Sequence, residues 1–197
     1  TLWHTLSLHD ALPIWTDGII TDTRDPHVAR QNPGDYLKGL TASVKGALAE
    51  ARKTKRFAPE KVTGIGVDTT GSTPMPVDAD GTPLALHKEF AKNPNAMAWL
   101  WKDHTARADA EEITDAAHRG KTDYTQYCGG TYSSEWFFAK LLHLARADEK
   151  VFSAAASFVE HCDWIPGVLT GETRPEKLTR SVCAAGHKAM FHQEAWG

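Results

Sequence analysis

With 41% apolar residues and seven tryptophans among its 197 residues, the chain can bury a core of one domain or a little more. The net charge of -3 leaves no basic surplus for a phosphate backbone, so nucleic acid is not an expected partner. Apolar stretches such as Trp164 to Leu169 fall far short of the roughly 20 residues that span a bilayer, so no membrane partner is expected either.

The three cysteines, Cys128, Cys162 and Cys183, are widely separated and form no C-x-x-C pair, which points to reduced thiols in a cytoplasm. None of the ten histidines falls in a metal-ligand spacing, and no metal site is expected.

Thr1 to Ile14 shows neither strand alternation nor a capped helical stripe, and Pro13 interrupts it. The string Thr5 to Ile14 resembles the translation of a sequencing-library adapter, so residues 1–14 are set aside as non-native and residues 15–197 are read as a partial domain. After the turn at Asp17-Gly18, Ile19-Ile20 reads as the remnant of a strand. Asn32-Pro33 then supplies an N-cap and an N1 proline. Tyr36, Leu37, Leu40, Val44, Ala47, Leu48 and Ala51 recur at helical spacing up to a basic end at Arg52 to Arg56.

Val62 to Val67 is short and rich in β-branched residues, which predicts a buried strand. Pro74 leads into a second strand around Met75 to Val77, and the turn Asp78 to Gly81 predicts a hairpin. A third strand is predicted over Ala98 to Trp101, and a helix from Thr105 to His118 ends at Gly120. Ser133-Ser134 can cap a helix with Glu135 and Trp136 in its first turn and a wide apolar face from Phe137 to Ala145. Val151 to Leu169 reads as two helical pieces parted near His161-Cys162-Asp163 and stopped by Thr170-Gly171. Strand and helix patterns in this order predict an α/β domain.

Open α/β sheets bind ligands beyond the carboxyl ends of their strands, which makes the polar stretch Asp68 to Thr73 a candidate site. The plainer reading is a turn that satisfies its own backbone through Asp and Thr side chains. Trp101-Lys102-Asp103-His104 follows a strand in the same way and could lay an aromatic wall against the C–H face of a sugar, although a tryptophan is more often core. In Arg180 to Lys188, small residues permit close backbone approach and Lys188 brings three donors; the alternative is an exposed, solvated lysine. There is no G-x-x-x-x-G-K-[ST] loop and no G-x-G-x-x-G fingerprint.

Gly64 to Pro74, Asn93 to Ala96, Leu100 to Thr105, Tyr132 to Trp136 and Cys183 to Lys188 together resemble the bacterial ribulokinase branch of the FGGY carbohydrate kinases, with compatible spacing from about Trp15 to Gly197. The resemblance implies two ribonuclease-H-like (actin-like ATPase) domains around a cleft, with this chain an incomplete first domain lacking its opening strands. It implies ATP with Mg as the phosphoryl donor and a small sugar, L-ribulose, as acceptor. Gly71, Ser72, Trp101 and Lys188 would then line the sugar pocket.

The family's catalytic aspartate belongs to the second domain, so no residue here is assigned as catalytic. The Asp-Phe-Gly-Thr-like phosphate hairpin that opens the family has no counterpart before Trp15. The chain alone is therefore expected to be inactive. Two alternatives stay open: another pentulose or pentitol kinase of the same family, and a non-catalytic sugar-binding module.

Overall fold

A computed structural model of the chain describes residues 18–186 and Lys188. Residues 1–17, which include the segment read as non-native, His187 and residues 189–197 lie outside the described residues.

Strand β1 (Ile20–Asp22) turns back into β2 (Asp25–Gln31), and β4 (Ala98–Trp99) adds to the other edge of β2, giving an antiparallel sheet in the order β1-β2-β4. Strand β2 has no sequence signature, since Asp25-Pro26-His27-Val28-Ala29-Arg30-Gln31 is largely polar. Its inner end is nevertheless buried, with Ala29 and Arg30 almost inaccessible. Helix α1 (Pro33–Arg52) begins as the sequence predicts: the Asn32 side chain accepts from Gly34 N at 2.9 Å, and Pro33 occupies a position whose N–H would have had no partner.

A second sheet pairs β3 (Pro74–Val77) with β5 (Ser157–Glu160), antiparallel, with Pro74 opposite Glu160 and Val77 opposite Ser157. The alternation in Pro-Met-Pro-Val explains how a strand with two prolines survives. Thr73 and Val77 turn their carbonyls to β5, accepting from His161 N at 3.0 Å and Ala156 N at 2.9 Å. Pro74 and Pro76 therefore face the opposite edge, where no ladder donor is required.

Three predictions need correction here. The Val62 to Val67 run is neither a strand nor buried: it is irregular and exposed, with Ile65 65% accessible. No described strand lies beside it, and β-branched residues stabilise a strand only where a neighbour completes the ladder. The expected hairpin is also absent. The turn at Asp78 to Gly81 closes only an isolated bridge between Val77 and Pro83, while the true partner of β3 lies some 80 residues further on. Finally, β5 stands where one of two helical pieces was expected; the helices flanking it are α4 (Glu149–Ala154) and α5 (His161–Thr170).

Helix α2 (Arg107–Arg119) ends at Gly120 as the sequence indicates, and α3 (Phe137–Ala147) starts two residues later than predicted, with Trp136 as its N-cap. A short α6 (Val182–Gly186) is the last described element, two residues before Lys188. Trp99, Met97, Phe90, Leu84, Leu144 and Val151 form one core cluster. Met75, Val77, Val159, Trp164 and Ile165 form another, between the β3-β5 pair and α5.

Candidate functional site

Polar groups gather where β3 begins and where β4 and β5 end. The antiparallel register sets Pro74 opposite Glu160, which brings the Glu160 side chain to Thr73, and Thr73 and Glu160 are both almost wholly buried. Glu160 accepts from Thr73 N at 2.7 Å through Oε2 and from Lys188 Nζ at 2.9 Å through Oε1. A buried carboxylate is tolerable only when its oxygens are occupied, and here one takes a backbone N–H and the other an ammonium.

Ser72, one residue upstream, has φ 67°, the only described non-glycine residue in the left-handed region. Its carbonyl accepts from Lys140 Nζ at 2.7 Å. The same ammonium donates to Leu100 O at 2.7 Å and to Trp99 O at 3.3 Å. Lys140 is 1% accessible, and burial pulls its amine down to about 7, with the negative charge of Glu160 working in the opposite direction.

Trp101 sits in a tight turn whose ends are both fixed. Asp103 N donates to Leu100 O at 2.9 Å, Leu100 N donates to Ala29 O at 3.1 Å, and the buried Asp103 carboxylate accepts from Ala29 N at 2.7 Å and from the Thr105 hydroxyl at 2.6 Å. Arg30 pairs with Asp103 and lays its guanidinium 3.3 Å from the centroid of the Trp99 ring. The turn is anchored to β2 and to α3, yet the Trp101 indole remains 48% exposed. The indole is thus an apolar plane on a hydrogen-bonded turn, left in contact with water.

Of the residues singled out from sequence, Gly71 is exposed with open space around its α-carbon, Ser72 is buried, and Trp101 is half-exposed. Lys188 is not the solvated lysine of the plainer reading: its side chain is fully buried against Glu160. Hydrogen bonds link the segments that carry these residues, Ser72 to Leu100 through Lys140 and Thr73 to Lys188 through Glu160.

Lys140 and Glu160 were missed by sequence reasoning. Lys140 did leave a signal, for it lies on the same helical stripe as Phe137 and Leu144, where a cation is out of place unless its head group is bound. Glu160 left none, because the strand it ends was not recognised. Among the described residues no group of three or more His, Cys, Asp or Glu could hold a metal ion, and no helix is long and apolar enough to cross a membrane.

No protein-family profile matches the chain. Curated proteins do: it is 54% identical over 169 residues to a ribulokinase of Vibrio parahaemolyticus, covering 85% of this chain and 29% of that protein. This chain belongs to the ribulokinase family. Ribulokinases of Shouchella clausii and Mycolicibacterium smegmatis are 37% and 36% identical, covering 86% and 88% of the chain. The chain spans between 28% and 31% of the length of these three ribulokinases. A solved structure described as a xyloylose kinase from Brucella ovis superposes with a TM-score of 0.56 over 74% of this chain and 26% of that one, at 16% identity. At that identity the likeness is one of fold, a mixed α/β arrangement.

Proposed function

We propose that this chain is the sugar-binding part of an enzyme that transfers a phosphoryl group from ATP to L-ribulose. The observation that carries this reading is the 54% identity to a ribulokinase across 169 residues. In this reading the domain is the first of two ribonuclease-H-like units. The Gly71-Ser72 turn presents backbone to the sugar, the Trp101 indole covers its C–H face, and Lys188 with Glu160 closes the polar side. Free cysteines and an ATP-dependent sugar chemistry both suit the cytoplasm.

Phosphoryl transfer depends on placing an attacking hydroxyl in line with the γ-phosphate and on a base to accept its proton. Three buried aspartates among the described residues are held by structural partners. Asp103 is committed to Ala29, Arg30 and Thr105, Asp109 to His143 and Arg146, and Asp163 to Ser181 N at 2.9 Å. In this reading the base is the aspartate of the second domain that the family resemblance implies. ATP arrives with a magnesium ion in this reading, and among the described residues no cluster of three or more His, Cys, Asp or Glu is gathered around a common point.

The test is a coupled ADP-release assay on the full-length protein that carries this sequence, with D-ribulose, D-xylulose and ribitol run beside L-ribulose, and on the 197-residue chain alone. Turnover is expected with L-ribulose in the full-length protein and none in the chain. Preference for another of the sugars, or turnover by the chain itself, would refute the assignment.

A further inference from the structure

We propose that Lys140 is a positioning residue that sets the separation between the two walls of the sugar pocket, the Ser72 turn and the Trp101 turn; this rests on the reading of the site given above. An ammonium has three N–H donors and no acceptor. All three are used: Ser72 O at 2.7 Å, Leu100 O at 2.7 Å and Trp99 O at 3.3 Å. No donor is left for a ligand, so Lys140 acts on a sugar only through the backbone it holds.

The choice of acceptors separates this role from ordinary core filling. Lys140 reaches 68 residues back to Ser72 and 40 back to Leu100, and these are the residues next to Gly71 and Trp101. Ser72 holds a left-handed backbone that a residue with a side chain adopts only when its surroundings enforce it, and the bond to its carbonyl is one such restraint. A leucine or methionine would fill the same volume without desolvating a cation. The amine is kept despite a burial that disfavours its charged form. On the Trp101 side, Leu100 is already tied to Ala29 and Asp103, so Lys140 joins a turn fixed to β2 with a turn that leads into β3.

The experiment compares wild type, Lys140→Met and Lys140→Gln in the full-length protein, reading KM for L-ribulose, KM for ATP, kcat and Tm. Lys140→Met keeps the stem and deletes all three donors; Lys140→Gln keeps two donors on a shorter reach. The expected result is a rise of about tenfold or more in the KM for L-ribulose in Lys140→Met, a smaller rise in Lys140→Gln, and a KM for ATP within about twofold of wild type. A residue that only stabilises the fold would lower Tm and leave both KM values of the folded enzyme unchanged, which would overturn the proposal. If neither variant yields folded protein, Lys140 is a stability residue and the proposal falls as well. A wild type that prefers a different sugar refutes L-ribulose as substrate but leaves Lys140 to be scored on that sugar; a wild type active on no sugar overturns both.

Discussion

Replacing Glu160 by Gln strikes the contact that joins β3 to Lys188. The side chain keeps its shape and one acceptor oxygen, which can still take Thr73 N, now 2.7 Å from Oε2. The amide NH2 must then face the Lys188 ammonium, which lies 2.9 Å from Oε1 and is fully buried. Two donors oppose each other, and the cation has lost its counter-charge. Breaking a buried ion pair from one side costs about 3–5 kcal/mol, a large share of the roughly 5–15 kcal/mol that holds a domain together. At about 2–4 °C per kcal/mol for a chain of this size, Tm should fall by about 6–20 °C.

Urea denaturation of the 197-residue chain, followed by circular dichroism, reads the loss as a shift in midpoint. The double variant Glu160→Gln with Lys188→Met removes the stranded charge and should recover most of the loss, because a neutral amide beside a thioether carries no unpaired ion. A Glu160→Gln cost below about 1 kcal/mol would refute the reasoning, since surface ion pairs are worth that little. A double variant as unstable as the sum of the two singles would refute it too.

Trp101→Ala in the full-length protein should raise the KM for L-ribulose about tenfold, the equivalent of about 1.4 kcal/mol of lost contact, while leaving Tm nearly unchanged because the indole is half-exposed; an unmoved KM makes Trp101 a bystander. Burial pulls the His161 imidazole from 6.5 to about 4, so the folded chain holds it neutral while the unfolded chain protonates it first. Its contribution is present above about pH 6.5 and lost as pH falls towards 4, up to about 3 kcal/mol. His161→Phe, which keeps the stack on Tyr36, should flatten that limb of the stability profile, and an identical acid limb contradicts the assignment. Gly81→Ala should destabilise by more than the roughly 1–3 kcal/mol of a strained backbone, because Gly81 has φ 79° and an added Cβ would lie 1.8 Å from Thr173 O; a wild-type urea midpoint would show that this turn can move.

Legibility in the sequence tracked how local each cause is. Helix α1 and the end of α2 were readable because Asn32, Pro33 and Gly120 act on backbone within one turn of themselves. Strand β2 was not, since its Arg30 is buried only because Asp103 and Trp99 meet it from more than 65 residues away. Val62 to Val67 shows the converse, a strand-like composition that remains exposed without a described neighbour.

The site divided along the same line. Gly71, Ser72, Trp101 and Lys188 were marked by the family resemblance. The groups that tie their segments together, Lys140 and Glu160, are charges whose burial depends on partners between 28 and 87 residues distant, and periodicity carries no information at that range. The one local signal for Lys140, a cation on the apolar stripe of α3, is visible only once its stripe is read for charges as well as for apolar residues.

A crystal structure of the full-length protein with L-ribulose would show where the sugar binds. The sugar should lie within van der Waals contact of the Trp101 indole and be hydrogen-bonded at the Gly71-Ser72 turn, with Lys140 still donating to Ser72 O and Leu100 O. Sugar bound on another face of the domain, with Trp101 packed against protein instead, would contradict that placement.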